Sequence, residues 1–327
     1  MAGLTDNHNR VISYLRLSVT DRCNLRCVYC LPEDGVVRLD HQDILTYEEL
    51  TRLTRLALDL NITKVRLTGG EPLVRRGIVD FAHQLKTLAV PDLRLTTNGQ
   101  LLAEMAADLY AAGVSKVNVS LDTLQADKYR VITRGGRLER VLAGLDAALE
   151  AGFDPVKINV VVMRGLNDDE IESFGRLALD RPFHVRFIEF MPLGRSGWRP
   201  GLFASSDEVL ARLEGLSPLR PLEAGPGDGP ARRLKPAGAA GEIGLISPLS
   251  HHFCPKCNRL RLTSDGKLLT CLFAQEEVDL RGPLRSGASD EELLRLITEA
   301  VAAKPDRHHL DSGRQPSFSR CMRTIGG

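Results

Sequence analysis

Six of the seven cysteines fall into two groups of three whose spacing suits metal chemistry. The first group, Cys23, Cys27 and Cys30, is a C-x3-C-x2-C run directly after an alternating apolar segment. A tetrahedral zinc site or a conventional cubane cluster takes four protein ligands. Three close thiolates with no local fourth leave one metal position open, and an open position is where a substrate or co-substrate binds. Tyr29, between the second and third cysteines, puts a flat amphipathic ring beside that position. The rival reading is a zinc loop completed by a distant residue.

The second group begins with the C-x2-C pair Cys254 and Cys257 and continues at Cys271. His251 or His252 could complete a Cys3His zinc site here, so spacing alone leaves zinc and cluster evenly matched. Directly after the pair, Arg259 and Arg261 alternate around Leu260 on a segment that reads as a strand. Such a pair suits phosphate or the acceptors of a purine edge. Cys321 is left over. An odd cysteine count and a polar stretch from Met1 to Arg10 argue against a disulfide framework and a secretory signal, and for reduced thiols in the cytoplasm. No apolar run is long enough to span a membrane. With 43 basic against 42 acidic residues the chain is nearly neutral, which disfavours non-specific binding to nucleic acid or membrane surfaces. An anionic partner is therefore expected to be held by a few placed cations.

The elements that position these residues read as an α/β fold. A length of 327 residues suits two domains, or one α/β barrel with an appendage. Strands are predicted at Tyr14–Val19, Thr63–Thr68, Leu93–Thr97, Lys116–Leu121, Val156–Val162 and Val185–Phe190. In the first, Leu15, Leu17 and Val19 share one face, so Arg16 points to the other, the lumen of a parallel barrel. An interior arginine is costly without an anion beside it. Lys64 and Arg66 repeat the pattern before Gly69-Gly70-Glu71-Pro72, whose glycines let a backbone or ligand approach closely. Helices are predicted after the Thr46/Glu49 capping box and near Leu101–Ala112, Leu138–Ala151 and Asp168–Leu179. Polar residues gather at strand ends: Thr96, Thr97, Asn98, Asn118, Ser120, Asp122, then Lys157 and Met191. This is where parallel barrels carry their sites. After Pro192 the composition shifts, giving an expected division into residues 1–192 and a smaller α+β region, residues 193–327. That region is expected to hold helices at Asp207–Leu213 and Asp290–Ala302.

The C-x3-C-x2-C run with an aromatic before its last cysteine resembles the radical S-adenosylmethionine (SAM) enzymes. From Tyr14 to Gly327 the chain is similar to the GTP 3',8-cyclase family of molybdenum cofactor biosynthesis. The carrying motifs are Leu15-Arg16-Leu17-Ser18, the first cysteine run, Lys64-Val65-Arg66-Leu67-Thr68-Gly69-Gly70-Glu71-Pro72, Thr96-Thr97-Asn98-Gly99 and Asn118-Val119-Ser120-Leu121-Asp122. They continue with Arg186-Phe187-Ile188-Glu189-Phe190-Met191, Gly241-Glu242-Ile243-Gly244, the Cys254 block, Cys271-Leu272-Phe273 and Gly326-Gly327.

The resemblance implies a partial (β/α)6 TIM-like barrel with a 4Fe–4S cluster on Cys23, Cys27 and Cys30, its open iron chelated by SAM. It implies SAM contacts at Tyr29, Gly70, Ser120 and Met191, and a second 4Fe–4S cluster on Cys254, Cys257 and Cys271 facing guanine. GTP would lie among Arg16, Arg66, Thr96, Lys157, Arg259, Leu260 and Arg261, with Lys64 a weaker phosphate candidate. Arg16, Lys157, Gly326 and Gly327 would serve catalysis, the glycine tail reaching into the site. The implied chemistry is reductive SAM cleavage to a 5'-deoxyadenosyl radical, hydrogen removal from C3' of the ribose and attack on C8. No G-x4-G-K-[ST] loop occurs, so side chains must hold the triphosphate. The implied partners are a flavodoxin- or ferredoxin-type electron donor, the downstream cyclic pyranopterin monophosphate synthase and a second copy of the chain. Rival readings are a two-cluster radical SAM enzyme acting on a peptide and a non-catalytic metal protein binding nucleic acid.

Overall fold

The computed structural model describes residues 3–31, 38–193, 197–223, 225, 229–308, 310 and 322–326, without the side chains of Arg323 and Thr324. Cys321 and Gly327 lie outside the described residues. Six strands, β1 (Tyr14–Ser18), β2 (Lys64–Thr68), β3 (Asp92–Thr97), β4 (Lys116–Ser120), β5 (Val156–Val162) and β6 (Phe183–Glu189), pair in chain order, all parallel. The crossovers carry α1 (Tyr47–Asp59), α2 (Ile78–Thr87), α3 (Leu102–Ala111), α4 (Ala126–Thr133), α5 (Leu138–Glu150) and α6 (Ile171–Asp180). This is the expected parallel α/β architecture.

Period-two alternation explains how the sheet splits its two faces. Leu15, Leu17, Val65, Leu67, Leu95, Val117 and Val119 are fully buried in one core with the apolar stripes of the helices. The opposite face carries Arg16, Arg66, Arg94, Asn118, Lys157 and Arg186 into a cavity. Helix α1 starts where expected: the Thr46 hydroxyl accepts from the Glu49 N–H at 3.2 Å, and Glu49 returns to the Thr46 N–H at 2.7 Å. The sequence reading did not contain α2 and α4. Their caps, Gly77 and Gln125, make no side-chain hydrogen bond to the helix, so neither start carries a capping signal.

The C-terminal region contains α7 (Ser206–Glu214), β7 (Leu219–Pro221), β8 (Arg232–Pro236), β9 (Glu242–Ile246), β10 (Arg259–Leu262), β11 (Lys267–Leu269), β12 (Val278–Asp279), α8 (Arg281–Arg285) and α9 (Asp290–Ala302). Its strands extend both edges of the same sheet, in the order β12-β11-β10-β1-β2-β3-β4-β5-β6-β9-β8-β7. Both β9 and β10 join in parallel, the first on β6 and the second on β1. Cys30 follows the C-terminal end of β1, whereas Cys257 precedes the N-terminal end of its parallel neighbour β10. Cys271 follows β11, which runs antiparallel to β10 and so ends on the Cys257 side. The two cysteine groups therefore stand at opposite ends of one strand pair, roughly 17 Å apart along its five residues.

Buried Glu189, the last residue of β6, fastens the C-terminal region. One carboxylate oxygen accepts the N–H of Ser206 at 3.0 Å and the Ser250 hydroxyl; the other accepts Leu249 N–H at 2.9 Å and Ser250 N–H at 3.1 Å. Removing it strands several buried donors. Glu189→Ala is expected to cost about 3 kcal/mol or more, read as a lower urea midpoint; a shift within error of wild type would contradict this role.

Candidate active site between two cysteine groups

Cys23, Cys27 and Cys30 are half-buried cysteines, in no disulfide, on the loop after β1. The loop is tied to the end of α4 by Arg26 N–H to Thr133 O (3.0 Å) and Val28 N–H to Ile132 O (2.9 Å). From the other side, Gly70 N–H donates to Thr20 O at 2.8 Å and Glu71 N–H to Arg22 O at 2.7 Å. A Cβ on Gly70 would lie 2.2 Å from the Arg22 carbonyl oxygen. The close approach that the double glycine permits is therefore that of the cysteine loop's own backbone, and Gly70 also lines the cavity. Glu71 accepts from the Thr97 hydroxyl (2.7 Å) and Asn98 N–H (2.6 Å), and burial pushes its carboxyl up to about 7 against those bonds. Asn98 in turn reaches Cys23 Sγ at 3.8 Å. The Tyr29 hydroxyl donates to Asp122 at 2.6 Å, while the other Asp122 oxygen accepts Val161 N–H at 2.8 Å. Burial, then Cys30, Asp122 and Cys23, push the Cys27 thiol up. Crowded sulfurs of this kind suit a thiophilic metal centre.

The same cavity is walled by cations from six strands: Arg16, Lys64, Arg66, Arg94, Lys157, Arg186, Arg259 and Arg261. Arg66 donates to Leu95 O at 2.9 Å and to the Thr96 hydroxyl at 3.3 Å. Arg94 is neutralised by Asp92, with Nε at 2.7 Å. Arg16 and Arg261 both donate to the carbonyl of Gly326, the former at 3.3 Å. Gly326 is buried with φ +72°, and a Cβ there would lie 2.2 Å from Thr68 Oγ1. Buried Arg186 Nε has no hydrogen-bond partner, nor do the buried Oδ1 atoms of Asn118 and Asn159. Burial and then Arg66 pull the Arg186 guanidinium down to about 9; burial likewise pulls Arg16 down to about 10. Gly244 makes room for Arg186, since a Cβ there would meet Arg186 Cγ at 2.9 Å. Cations pressed together out of water are unfavourable alone, so this wall is built for a polyanion.

At the far end Cys254 is buried, with Cys257 and Cys271 half-buried. Two cations sit beneath them. Arg10 donates to the carbonyls of Cys254 (2.9 Å), Pro305 (2.6 Å) and Asp306 (2.8 Å), and Lys304 to those of Arg259 (3.1 Å) and Thr270. Burial opposes ionisation of Cys257, but Arg259 and Lys304 win and bring its thiol down to about 7. Beside Cys254, His252 Nδ1 lies 3.1 Å from His308 Nε2, and donor atoms of all three residues fall within 4.8 Å of one another. His251 instead faces Asp207 at 2.8 Å.

The residues singled out in the sequence thus converge. Both cysteine groups, Arg16, Tyr29, Arg66, Gly70, Thr96, Ser120, Lys157, Met191, Arg259 and Arg261 all line one cavity. Leu260 is not among the cavity's lining residues: it takes the opposite face of β10 and packs in the core. Sequence reasoning assigned no role to Tyr14, Arg186, Asn159, Lys304 or His308. For Arg186 the signal was present: a cation inside an apolar strand, as at Arg16.

Residues 17–178 match the radical SAM superfamily model, and residues 183–310 match the model described as Molybdenum Cofactor Synthesis C. Full-length relatives include the GTP 3',8-cyclases of Thermodesulfovibrio yellowstonii (49% identical; 99% of this chain, 100% of the relative) and Geobacter sulfurreducens (50%; 99% and 99%). This chain belongs to the GTP 3',8-cyclase family. Among solved structures, Streptococcus suis SuiB shares the fold, at a TM-score of 0.59 and 17% identity, covering 83% of this chain and 64% of SuiB. Superfamily membership carries with it a 4Fe–4S cluster and SAM, and the three crowded thiols beside Tyr29 fit that donor set. No described helix of this cyclase-family chain is long and apolar enough to cross a membrane.

Because the Gly70 backbone touches Arg22, Gly70→Ala must part the turn from the cysteine loop. The expected result is loss of iron from the first cysteine group after anaerobic reconstitution, with iron at the second group retained. Iron content equal to wild type would contradict the contact's importance.

Proposed function

We propose that this chain converts GTP to 3',8-cyclo-7,8-dihydro-GTP, an early step of molybdenum cofactor biosynthesis. The observation that carries the reading is one cavity with a cysteine group at each end and a wall of buried cations between. That arrangement fits a substrate with a polyanionic arm, held between a radical generator and a second metal centre. Residues 1–192 then generate the radical, and residues 193–327 complete the substrate site. The electron donor is a reduced protein of flavodoxin or ferredoxin type. The product passes to a cyclic pyranopterin monophosphate synthase, and the enzyme works as a cytoplasmic homodimer.

When bound, the first cluster and SAM, given an electron from the donor, would supply a 5'-deoxyadenosyl radical able to take hydrogen from C3' of the ribose. The chain's own residues do the positioning. Tyr29, fixed by Asp122, and Gly70, Ser120 and Met191 hold SAM beside Cys23, Cys27 and Cys30. Arg16, Arg66, Thr96, Lys157 and Arg186 hold the phosphates, while Arg259, the Leu260 backbone and Arg261 address the base. The tail ending in Gly326 and Gly327 steadies Arg16 and Arg261. Holding the ribose beside SAM makes the hydrogen transfer effectively intramolecular, and burial in the cavity limits water's access to the radical.

Cys254, Cys257 and Cys271 hold a second 4Fe–4S cluster on this reading, with Lys304 and Arg10 offsetting its thiolate charge. The proximity of His252 and His308 to Cys254 favours a second reading, a zinc ion at this end. Metal analysis after anaerobic reconstitution separates them: about eight irons per chain for two cubanes, about four with one zinc otherwise. With SAM and a reductant, 5'-deoxyadenosine formation is expected to accompany consumption of GTP but not ATP. Equal coupling to both, or to neither, would refute the substrate assignment. Arg186→Met is expected to cost about 30-fold or more in kcat/KM for GTP, the loss typical of a buried charge contact. An unchanged value would remove Arg186 from the phosphate site.

A further inference from the structure

Tyr14 has no part in the chemistry described above, yet it sits at the centre of the cation wall. Its ring is buried, its oxygen lies 2.5 Å from Arg66 Nε and 3.4 Å from Arg16 Nη1, and Lys64 Nζ stands 5.1 Å from the ring centroid. The charged groups that share its cavity come from six strands: Arg16 on β1, Lys64 and Arg66 on β2, Arg94 with its partner Asp92 on β3, Lys157 on β5, Arg186 on β6, and Arg259 and Arg261 on β10. The carboxylates that line the cavity are committed elsewhere: Glu71 to Thr97 and Asn98, Asp122 to Tyr29 and Val161, Glu189 to Ser206 and Ser250. The Tyr14 hydroxyl is an acid in contact with both Arg66 and Arg16, whereas the cavity's thiols Cys257 and Cys271 act on Arg259 and Arg261.

We propose that Tyr14 is the resident counter-anion of the substrate site, a phenolate in the empty enzyme that takes up one proton when the substrate's phosphates reach Arg16 and Arg66. This rests on the reading of GTP as substrate. Burial of the ring favours the neutral phenol, but the charges of Arg66 and Arg16, the Arg66 hydrogen bond and Arg259 outweigh it and bring the group to about 7. An arriving triphosphate reverses the balance: it engages the same guanidiniums and repels the phenolate. A proton moves from water to the Tyr14 oxygen, no other bond changes, and the neutral O–H becomes a donor to a phosphate oxygen. A negative charge thus stands against Arg16 and Arg66 in both states, which keeps these two arginines in place without substrate and makes GTP affinity fall as pH rises.

The test is isothermal titration of GTP into the reconstituted enzyme in HEPES and in Tris, from pH 7.5 to 8.5. In that range the phosphates are already fully ionised, so any proton taken up comes to the protein. Wild type is expected to take up about one proton per GTP and to lose about tenfold in affinity across that pH unit. Tyr14→Phe is expected to show neither effect. Ultraviolet resonance Raman of the free holoenzymes at pH 8 is expected to show a tyrosinate band that Tyr14→Phe lacks. No proton uptake by wild type, an equal count in Tyr14→Phe, or no tyrosinate difference would overturn the proposal. If the tyrosinate is present but GTP does not bind, the substrate reading fails instead, and the same titration with inorganic tripolyphosphate decides the role of Tyr14.

Discussion

The backbone ladder between β1 and β10 is the contact on which the site depends. It joins residues more than two hundred positions apart in the chain, in parallel, with Tyr14 opposite Arg259 and Arg16 opposite Arg261. Parallel pairing fixes direction as well as neighbourhood. Because the first cysteine group follows β1 and the second precedes β10, that direction alone sets the groups at opposite ends of one cavity. An antiparallel β10 with the same side chains would bring both groups to one end and leave no span between them for a substrate.

The second constraint is electrostatic. A wall of cations is costly unless its charges are answered, and the chain answers most of them, in different ways. Asp92 takes Arg94; backbone carbonyls take Arg10, Lys304 and part of Arg66; the tail carbonyl at Gly326 takes Arg16 and Arg261. Buried Arg186 Nε is left with none. A buried guanidinium nitrogen without a partner is where binding an anion gains most, because its desolvation cost is met at folding and not again on binding. Gly244, on a strand added by the C-terminal region, is what lets that side chain lie where it does.

Much of this was legible in the sequence wherever the signal was local. Alternation placed Arg16 and Arg66 on the polar face, β5 was delimited to the residue, and the Thr46/Glu49 box marked the start of α1. Cysteine spacing singled out both groups that the fold brings to one cavity. Helices α2 and α4 went unread; their starts lack a capping side chain, but so do those of α3, α5 and α6, which were read from their apolar spacing. The C-terminal strands read as a separate small region, yet they complete both edges of the main sheet, since pairing across such distances leaves no mark in a local window. Tyr14 was given no role beyond opening a strand. Only the register that sets Arg66, Arg16 and Arg259 around it gives its hydroxyl a task, and only the fold brings His308 and Lys304 to the second cysteine group.

The central claim is that the two ends of the cavity act on one substrate, with the cation wall holding its ribose within reach of the first. Incubating the reconstituted enzyme anaerobically with SAM, a reductant and GTP deuterated at C3' tests this directly by mass spectrometry of the 5'-deoxyadenosine formed. Transfer of one deuterium into that product is the predicted result. Unlabelled 5'-deoxyadenosine, formed at the same rate with or without GTP, would contradict the account.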